Sequence, residues 1–257
     1  MNTSSPSSRS AGSAVPFQFI LTTQWPADFS QANSTAQNSK SSAPSFCPLW
    51  DAGAWQLSLA HSKQSRLSPE KELSLFAHAL QLNIQSSQNT RPFGIVVTTP
   101  AQVEAAASVA THFFIPGEFC RQGDVLAAAS KSGATVLIER GAFLAPNDVM
   151  RALEKLDSQK ILLVDAGTSF GYSDRVLDVR ALAVLKATGL PFGVNLSALC
   201  GPQGQVSVWK GQWLSESGNQ EKFVNAFVDA SLALGASFFV YRNEEIHVRR
   251  KLERTNL

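Results

Sequence analysis

Cysteine and histidine are scarce in this chain, and neither is arranged to hold a metal ion. Three cysteines occur in 257 residues, and they are Cys47, Cys120 and Cys200. Their wide separation excludes the short spacings typical of zinc sites and redox pairs. The four histidines are equally scattered, so each is expected to be structural or on the surface. The sequence therefore predicts reduced thiols in a cytoplasmic protein, with no metal and no cofactor.

Long apolar runs and an excess of one charge are also missing. Runs such as Val125–Ala129 are far too short to cross a bilayer. The formal net charge is only +2, which gives no attraction to nucleic acid or to a membrane surface. Residues 1–16 are rich in serine without an apolar core, which predicts a disordered tail rather than a secretory signal. Residues 17–257 are then expected to form a single domain.

The sequence does contain short apolar runs that alternate with helical patterns, as in βα units around a parallel sheet. Eight such runs in about 240 residues fit a (β/α)₈ TIM barrel, and an open doubly wound sheet is the alternative. The predicted strands are Phe17–Thr22, Trp55–Leu59, Phe93–Thr98, His112–Ile115, Thr135–Ile138, Ile161–Val164, Phe192–Asn195 and Ser237–Val240.

Helical periodicity predicts six helices between these strands. One connection breaks the pattern, because Ser30–Ser45 is polar and offers no amphipathic helix where a barrel expects its first one. The helix 1 region is therefore degenerate, and that flank is either poorly covered or covered by a neighbouring subunit. The predicted helices are Pro69–Leu82, Pro100–Val109, Val125–Ser130, Asn147–Leu156, Asp178–Ala187 and Gln220–Leu234.

Three motifs in the middle of the chain resemble one enzyme family. They are Ile-Pro-Gly-Glu-Phe-Cys-Arg-Gln-Gly-Asp (Ile115–Asp124), Glu-Arg-Gly-Ala-Phe-Leu-Ala-Pro (Glu139–Pro146) and Gly-Thr-Ser-Phe-Gly-Tyr (Gly167–Tyr172). In order and spacing they resemble the class I heptulosonate/octulosonate phosphate synthase family, in particular the 3-deoxy-D-manno-octulosonate 8-phosphate synthases. The resemblance implies a barrel that condenses phosphoenolpyruvate with arabinose 5-phosphate, a transferase reaction of lipopolysaccharide sugar biosynthesis.

Part of the family's anion-binding set persists. Ser58–Arg66 aligns without a gap with the family's Lys-Ala-Ser-Phe-Asp-Lys-Ala-Asn-Arg and keeps its second lysine and its arginine. The Cys-Arg-Gln-x-Asp element and the Phe-Gly pair are also kept. The resemblance therefore implies these candidate substrate- and phosphate-binding residues: Lys63, Arg66, Arg121, Gln122, Asp124, Arg140 and Phe170.

The positions that carry the family's chemistry are mostly changed. The resemblance implies lysine, aspartate, histidine, glutamate and arginine at strand ends where this chain has other residues. The metal ligands of metal-dependent members are lost as well, so no metal is expected. The degenerate positions are Ser58, Val96, Thr98, Glu139, Ala166, Asn195, Ala198, Tyr241 and Asn243.

The pair Glu139-Arg140 stands where the family has two lysines, and strand pleating lets only one of the two face the barrel interior. If Glu139 faces inward, this change and the loss of arginine at Ala166 shift the pocket by three charge units towards negative. If Arg140 faces inward, one cation survives and phosphate binding remains feasible. The sequence leaves both orientations open.

The sequence thus predicts a catalytically impaired paralogue, a pseudoenzyme that binds a phosphorylated small molecule or docks on an active family member. The alternative is an active synthase with a rewired site, so enzymatic activity is left open. Because family members are usually oligomeric, the resemblance implies a homo-oligomer or a hetero-oligomer with an active paralogue.

Overall fold

A computed structural model describes eight parallel strands, each paired with the next in sequence order, with β8 also paired with β1. From β3 to β8 they form a curled parallel sheet with helices in the connections, which confirms the predicted parallel α/β fold. The strands are β1 (Gln18–Thr22), β2 (Phe46–Asp51), β3 (Gly94–Val96), β4 (His112–Ile115), β5 (Thr135–Arg140), β6 (Ile161–Asp165), β7 (Phe192–Asn195) and β8 (Phe238–Arg242). The described residues are 18–22, 46–51, 94–108, 110–156, 160–170, 175–200, 217–242 and 252.

The helices of the described ranges follow the predicted periodicity, except for Leu196–Cys200, which was not predicted. The predicted segment Asn147–Leu156 is shorter, because it begins as a 3₁₀ turn over Pro146–Asp148. The predicted helix Pro69–Leu82 and the polar segment Ser30–Ser45 lie outside the described residues. The helices are α1 (Pro100–Ala106), α2 (Gly123–Lys131), α3 (Val149–Leu153), α4 (Val179–Ala187), α5 (Leu196–Cys200) and α6 (Ser217–Leu234).

The strand between β1 and β3 is Phe46–Asp51, which the sequence analysis did not predict. The predicted strand Trp55–Leu59 lies outside the described residues. Proline lacks an N–H group and is unfavourable in a central strand, so the presence of Pro48 argued against a strand at Phe46–Asp51. In the structure Pro48 pairs with Ile20 of β1, and pairing with β3 starts only at Leu49. Pro48 therefore lies where the strand has a neighbour on one side only.

Side chains of the strands alternate between two apolar layers. The outer layer lies between the sheet and the helices, and it contains Phe113, Ile138 and Tyr241. Gly193 leaves room for the inner layer, since a Cβ there would lie 2.4 Å from Phe238. The inner layer consists of Phe19, Val96, Phe114, Leu137, Leu162, Val164, Phe238 and Val240. This alternation decides which residue at each strand end faces the interior.

Within the described ranges, no helix is both long and apolar enough to span a membrane.

Candidate functional site

Glu139 faces the inner side of the curled sheet. It lies two residues beyond Leu137 of the inner layer, and only 4% of its surface is exposed. The Asn195 side-chain amide donates to its Oε2 at 2.7 Å, and the Gly117 N–H donates to Oε1 at 3.3 Å. A Cβ on Gly117 would lie 3.1 Å from that Oε1, so glycine allows the backbone to approach the carboxylate. The sequence left open whether Glu139 or Arg140 faces inward, and in the structure Glu139 does.

Burial raises the pKa of Glu139 above its ordinary value, because the charged form loses water. The hydrogen bond from Asn195 opposes this rise most strongly, followed by the charge of Arg175 and the Gly117 N–H. Glu118 adds to the rise through its own negative charge. The interior carboxyl is thus a group whose protonation is favoured by the fold.

Arg140 points the other way, into the layer between sheet and helices, where it is 1% exposed. Its Nε donates to Asp165 at 2.7 Å, in a salt bridge whose two side chains are both fully buried. The four remaining N–H groups donate to the carbonyls of Gly141, Leu144 and Gly167 and to the Thr168 hydroxyl. All five guanidinium donors are used. Arg140 was a candidate phosphate ligand. In the structure it lies on the outer face of β5, opposite to Glu139, and its hydrogen bonds connect β5 with β6 and the loops that follow.

Arg175 reaches the interior carboxylate, although it belongs to none of the sequence motifs. Its Nη1 donates to the Ala166 carbonyl at 3.3 Å and lies 3.7 Å from Oε1 of Glu139. Its Nη2 lies 3.5 Å from the Glu118 carboxylate, and its side chain is 28% exposed. Ala166 is the strand-end position where the resemblance implies arginine. Arg175 therefore brings a guanidinium to the end of β6 from further along the chain.

A backbone bridge holds Arg175 in place. Thr168 and Val176 exchange two hydrogen bonds of 2.9 Å in antiparallel fashion, which brings these two residues of the connection after β6 together. Gly167 has a φ of +79°, and a Cβ there would lie 3.0 Å from Cβ of Arg175. Since the bridge is made of main-chain groups, side-chain patterns do not reveal it.

Asn195 joins β7, the interior carboxylate and the next helix. Its amide donates to Glu139, and its Oδ1 accepts a hydrogen bond from the Ala198 N–H at 3.2 Å. Next to it, Ser197 accepts from the backbone N–H of Arg242 at 2.7 Å. Asn195, a degenerate position, thus links Glu139 to the start of α5, and Ser197 separately links α5 to the end of β8.

The end of β8 differs from what the alignment implied. Tyr241, placed at the family's glutamate position, packs in the outer layer and is 1% exposed. Alternation then puts Arg242, not Tyr241, on the interior side after Val240. Sequence alignment missed Arg242 because no motif fixes the register of this strand.

The residues that follow β3 cap the N-terminus of α1. Val96 belongs to the inner layer, and Thr98 donates through its N–H and hydroxyl to Oε1 of Gln102 at 2.7 and 3.2 Å. Thr99 completes a capping box with Gln102 at the start of α1. These residues stabilise α1, and their side chains carry no acid or base.

None of the retained candidates that the structure describes makes a hydrogen bond or an ion pair with Glu139. Arg121 is exposed and lines a cavity beside α3. Gln122 is the N-cap residue of α2 and makes no side-chain cap, while Asp124 accepts from the Val125 N–H. Phe170 is 78% exposed. The other candidate and degenerate positions lie outside the described residues, and they are Ser58, Lys63, Arg66 and Asn243.

The residues present do not fit the metal that some members of the resembling family bind. Ala198 has no ligand atom in its side chain, and Tyr241 is turned away from the interior. In the described ranges no three His, Cys, Asp or Glu side chains lie close enough together to hold a metal ion.

Comparison with known proteins agrees with the motifs. Residues 82–238, more than half of the chain, match the model of the DAHP synthetase I family. The chain is 41% identical over 138 residues to a protein of Syntrophotalea carbinolica, covering 52% of this chain and 47% of that protein. It is 33% identical over 154 residues to a protein of Protochlamydia amoebophila, covering 57% and 54%.

A third relative, from Bartonella quintana, is 34% identical over 145 residues, covering 55% of this chain and 49% of that protein. All three relatives are named 2-dehydro-3-deoxyphosphooctonate aldolase. The chain spans about half the length of the curated relatives it matches. Because the family model matches most of the described sheet and its motifs, the chain belongs to the DAHP synthetase I family.

Proposed function

We propose that this chain is a catalytically impaired relative of the octulosonate 8-phosphate synthases that keeps part of a phosphosugar-binding site. In this proposal residues 17–257 form one complete (β/α)₈ barrel in the cytoplasm. The chain binds a phosphorylated small molecule through Lys63, Arg66 and Arg121, and it associates with itself or with an active paralogue.

The buried, inward-facing carboxylate of Glu139 carries the proposal. The resembling family has a lysine at this position, beside substrates that bear two phosphates and a carboxylate. Glu139 removes the family's positive charge in either protonation state. When it is ionised, it also repels a phosphate about 4 Å away by about 4 kcal/mol at an effective dielectric near 20. Asn195 and Gly117 hold Glu139 in place, so it cannot simply turn away from a bound anion.

Phosphate release from phosphoenolpyruvate and arabinose 5-phosphate tests the proposal. The chain should show no turnover above background, with or without added divalent metal, because each lost electrostatic group is worth about 10²–10³ in rate. The Syntrophotalea carbinolica relative is the positive control. Turnover of about one per second, an ordinary enzyme rate, would contradict the proposal.

A second candidate function is favoured by Arg175. Its guanidinium lies at the Ala166 carbonyl, so it could replace the missing strand-end arginine in a working synthase. An active chain should then lose most of its rate in Arg175→Ala and keep it in Arg180→Ala, which removes an exposed arginine of α4. Inactivity of the parent chain removes this candidate.

A further inference from the structure

A cavity on the outside of the sheet gathers three basic side chains, and two of them, Arg151 and Lys155, belong to none of the family motifs. Its volume is about 360 Å³, within the range of small-molecule sites, which is about 300–1,000 Å³. Three cations and two carboxylates line it, which gives a net charge of +1. Its lining residues are Arg121, Leu144, Asp148, Arg151, Ala152, Glu154 and Lys155.

The cations come from two different elements and converge. Arg121 lies just before α2, whereas Arg151 belongs to α3 and Lys155 follows it. Lys155 crosses to the start of α2, because its Nζ lies 3.9 Å from the position of a Cβ on Gly123. The cavity is therefore bounded on both sides by positive charge, which a row of cations along one helix would not achieve.

The neighbouring carboxylates pair only weakly with the cations of the cavity. Arg151 lies 3.8 Å from Asp148, and the arginine side chain is 79% exposed, so the pair is long and solvated. Such exposed pairs contribute only about 0–1 kcal/mol and exchange readily for a stronger partner. Arg175, by contrast, lies between two carboxylates at the barrel mouth. Among these described cations, the cavity side chains are the better placed to take an incoming anion.

We propose that this outer cavity binds a phosphorylated, hydroxyl-bearing small molecule. The phosphate, with a charge of about −1.5 to −2, is held by Arg121, Arg151 and Lys155. The carboxylates of Asp148 and Glu154 are acceptors only, so they take hydrogen bonds from the ligand's hydroxyl groups. A bare phosphate satisfies the cations alone, and an uncharged sugar satisfies the carboxylates alone.

This site shares Arg121 with the proposed function and goes beyond it, because it places the phosphate with Arg151 and Lys155 outside the sheet and not with Lys63 and Arg66. Arg151 and Lys155 belong to none of the family motifs, and the site needs no condensation reaction. It stands whether or not the chain releases phosphate from phosphoenolpyruvate.

Calorimetry with ribose 5-phosphate, inorganic phosphate and ribose tests the proposal on the full chain. Ribose 5-phosphate should bind more tightly than inorganic phosphate, and ribose should not bind. Arg151→Ala combined with Lys155→Ala should weaken binding at least tenfold, since a hydrogen bond to a charged group is worth about 1.5 kcal/mol. Both side chains are at the surface, so the variant should keep the circular dichroism spectrum of the parent.

A matched control removes two cations elsewhere. Lys131→Ala combined with Arg180→Ala makes the same charge change at the end of α2 and on α4, and it should leave the affinity unchanged. The proposal is overturned if no probe binds at 10 mM, or if both double variants weaken binding equally. It is also overturned if only Lys63→Ala with Arg66→Ala abolishes binding, because the anion then lies elsewhere.

Discussion

Arg140 shows how one residue of a family motif can change its task. Its guanidinium pairs with buried Asp165 and donates to four further groups, so removing it strands a buried carboxylate. Breaking such a pair from one side costs about 3–5 kcal/mol. Arg140→Ala should therefore lower the free energy of unfolding by about that amount, measured by urea denaturation.

The exposed pair of Arg180 and Asp178 supplies the contrast. Its Nε–Oδ1 distance of 2.9 Å is also short, but the arginine side chain is 86% exposed. Arg180→Ala should change the free energy of unfolding by no more than about 1 kcal/mol. If Arg140→Ala and Arg180→Ala lowered the free energy of unfolding equally, the buried hydrogen bonds of Arg140 would not stabilise the fold more than an exposed ion pair does.

Acid should destabilise the protein through His112. Burial lowers the pKa of His112 from 6.5 to about 4, and the ring packs edge-on against Phe19. The unfolded chain therefore binds a proton that the folded chain excludes, so stability falls as the pH falls from about 6.5 to about 4. Because one pKa unit corresponds to about 1.4 kcal/mol, the loss totals about 3 kcal/mol. His112→Gln should flatten this part of the unfolding profile.

Glu139 should act with the opposite sign. Its pKa is raised, chiefly by burial, so the folded state retains a proton that the unfolded chain releases. Stability then falls as the pH rises from the ordinary carboxyl range through the raised pKa of Glu139. Glu139→Gln should remove this fall and leave the His112 slope intact. A profile unchanged in both variants would contradict the two assignments together.

At the scale of single elements, the loop after β6 depends on Gly167. Its φ of +79° is costly for other residues, and a Cβ would lie 2.7 Å from the Leu199 side chain. Gly133 has a similar φ of +77° with nothing within 4 Å of its Cβ position. Gly133→Ala should cost about 1 kcal/mol from backbone strain alone. Gly167→Ala should lower the free energy of unfolding by distinctly more, as measured by urea denaturation. An equal decrease for the two variants would mean that Leu199 of α5 moves aside at no energetic cost.

The elements themselves were largely predictable, because apolar runs and helical periodicity report burial directly. Strand β2 and the short helix α5 were not predicted. In β2 the reason is Pro48, since proline is unfavourable in a central strand unless a neighbour is absent. The site was harder to predict. Whether Glu139 or Arg140 faces inward depends on a one-residue register, and residue types alone do not fix it. Arg175 reaches Glu139 through a main-chain bridge, so no local pattern marks it.

At the scale of the whole molecule, two adjoining loops leave large aromatic side chains in water. Phe143 is 62% exposed and Phe170 is 78% exposed. The loops that carry them are joined by a hydrogen bond of 3.1 Å from the Ser169 N–H to the Ala142 carbonyl. Single exposed apolar residues are ordinary, but two phenylalanines on linked loops favour an interaction surface. The resemblance also implies an oligomer, which makes association with a second chain the natural expectation.

We therefore expect the chain to associate, with itself or with an active paralogue, through these loops. Light scattering at micromolar concentration should give a multiple of the 27.7 kDa chain mass. Phe143→Ser combined with Phe170→Ser should reduce that mass to one chain, because the substitutions remove apolar area that drives association. Val179→Ser changes an exposed apolar residue of α4 and should leave the assembly intact. If the parent chain is a stable monomer, co-purification with the active paralogue decides the remaining case. A monomer that does not bind the paralogue would mean that both phenylalanines stay exposed to solvent and that the chain acts alone.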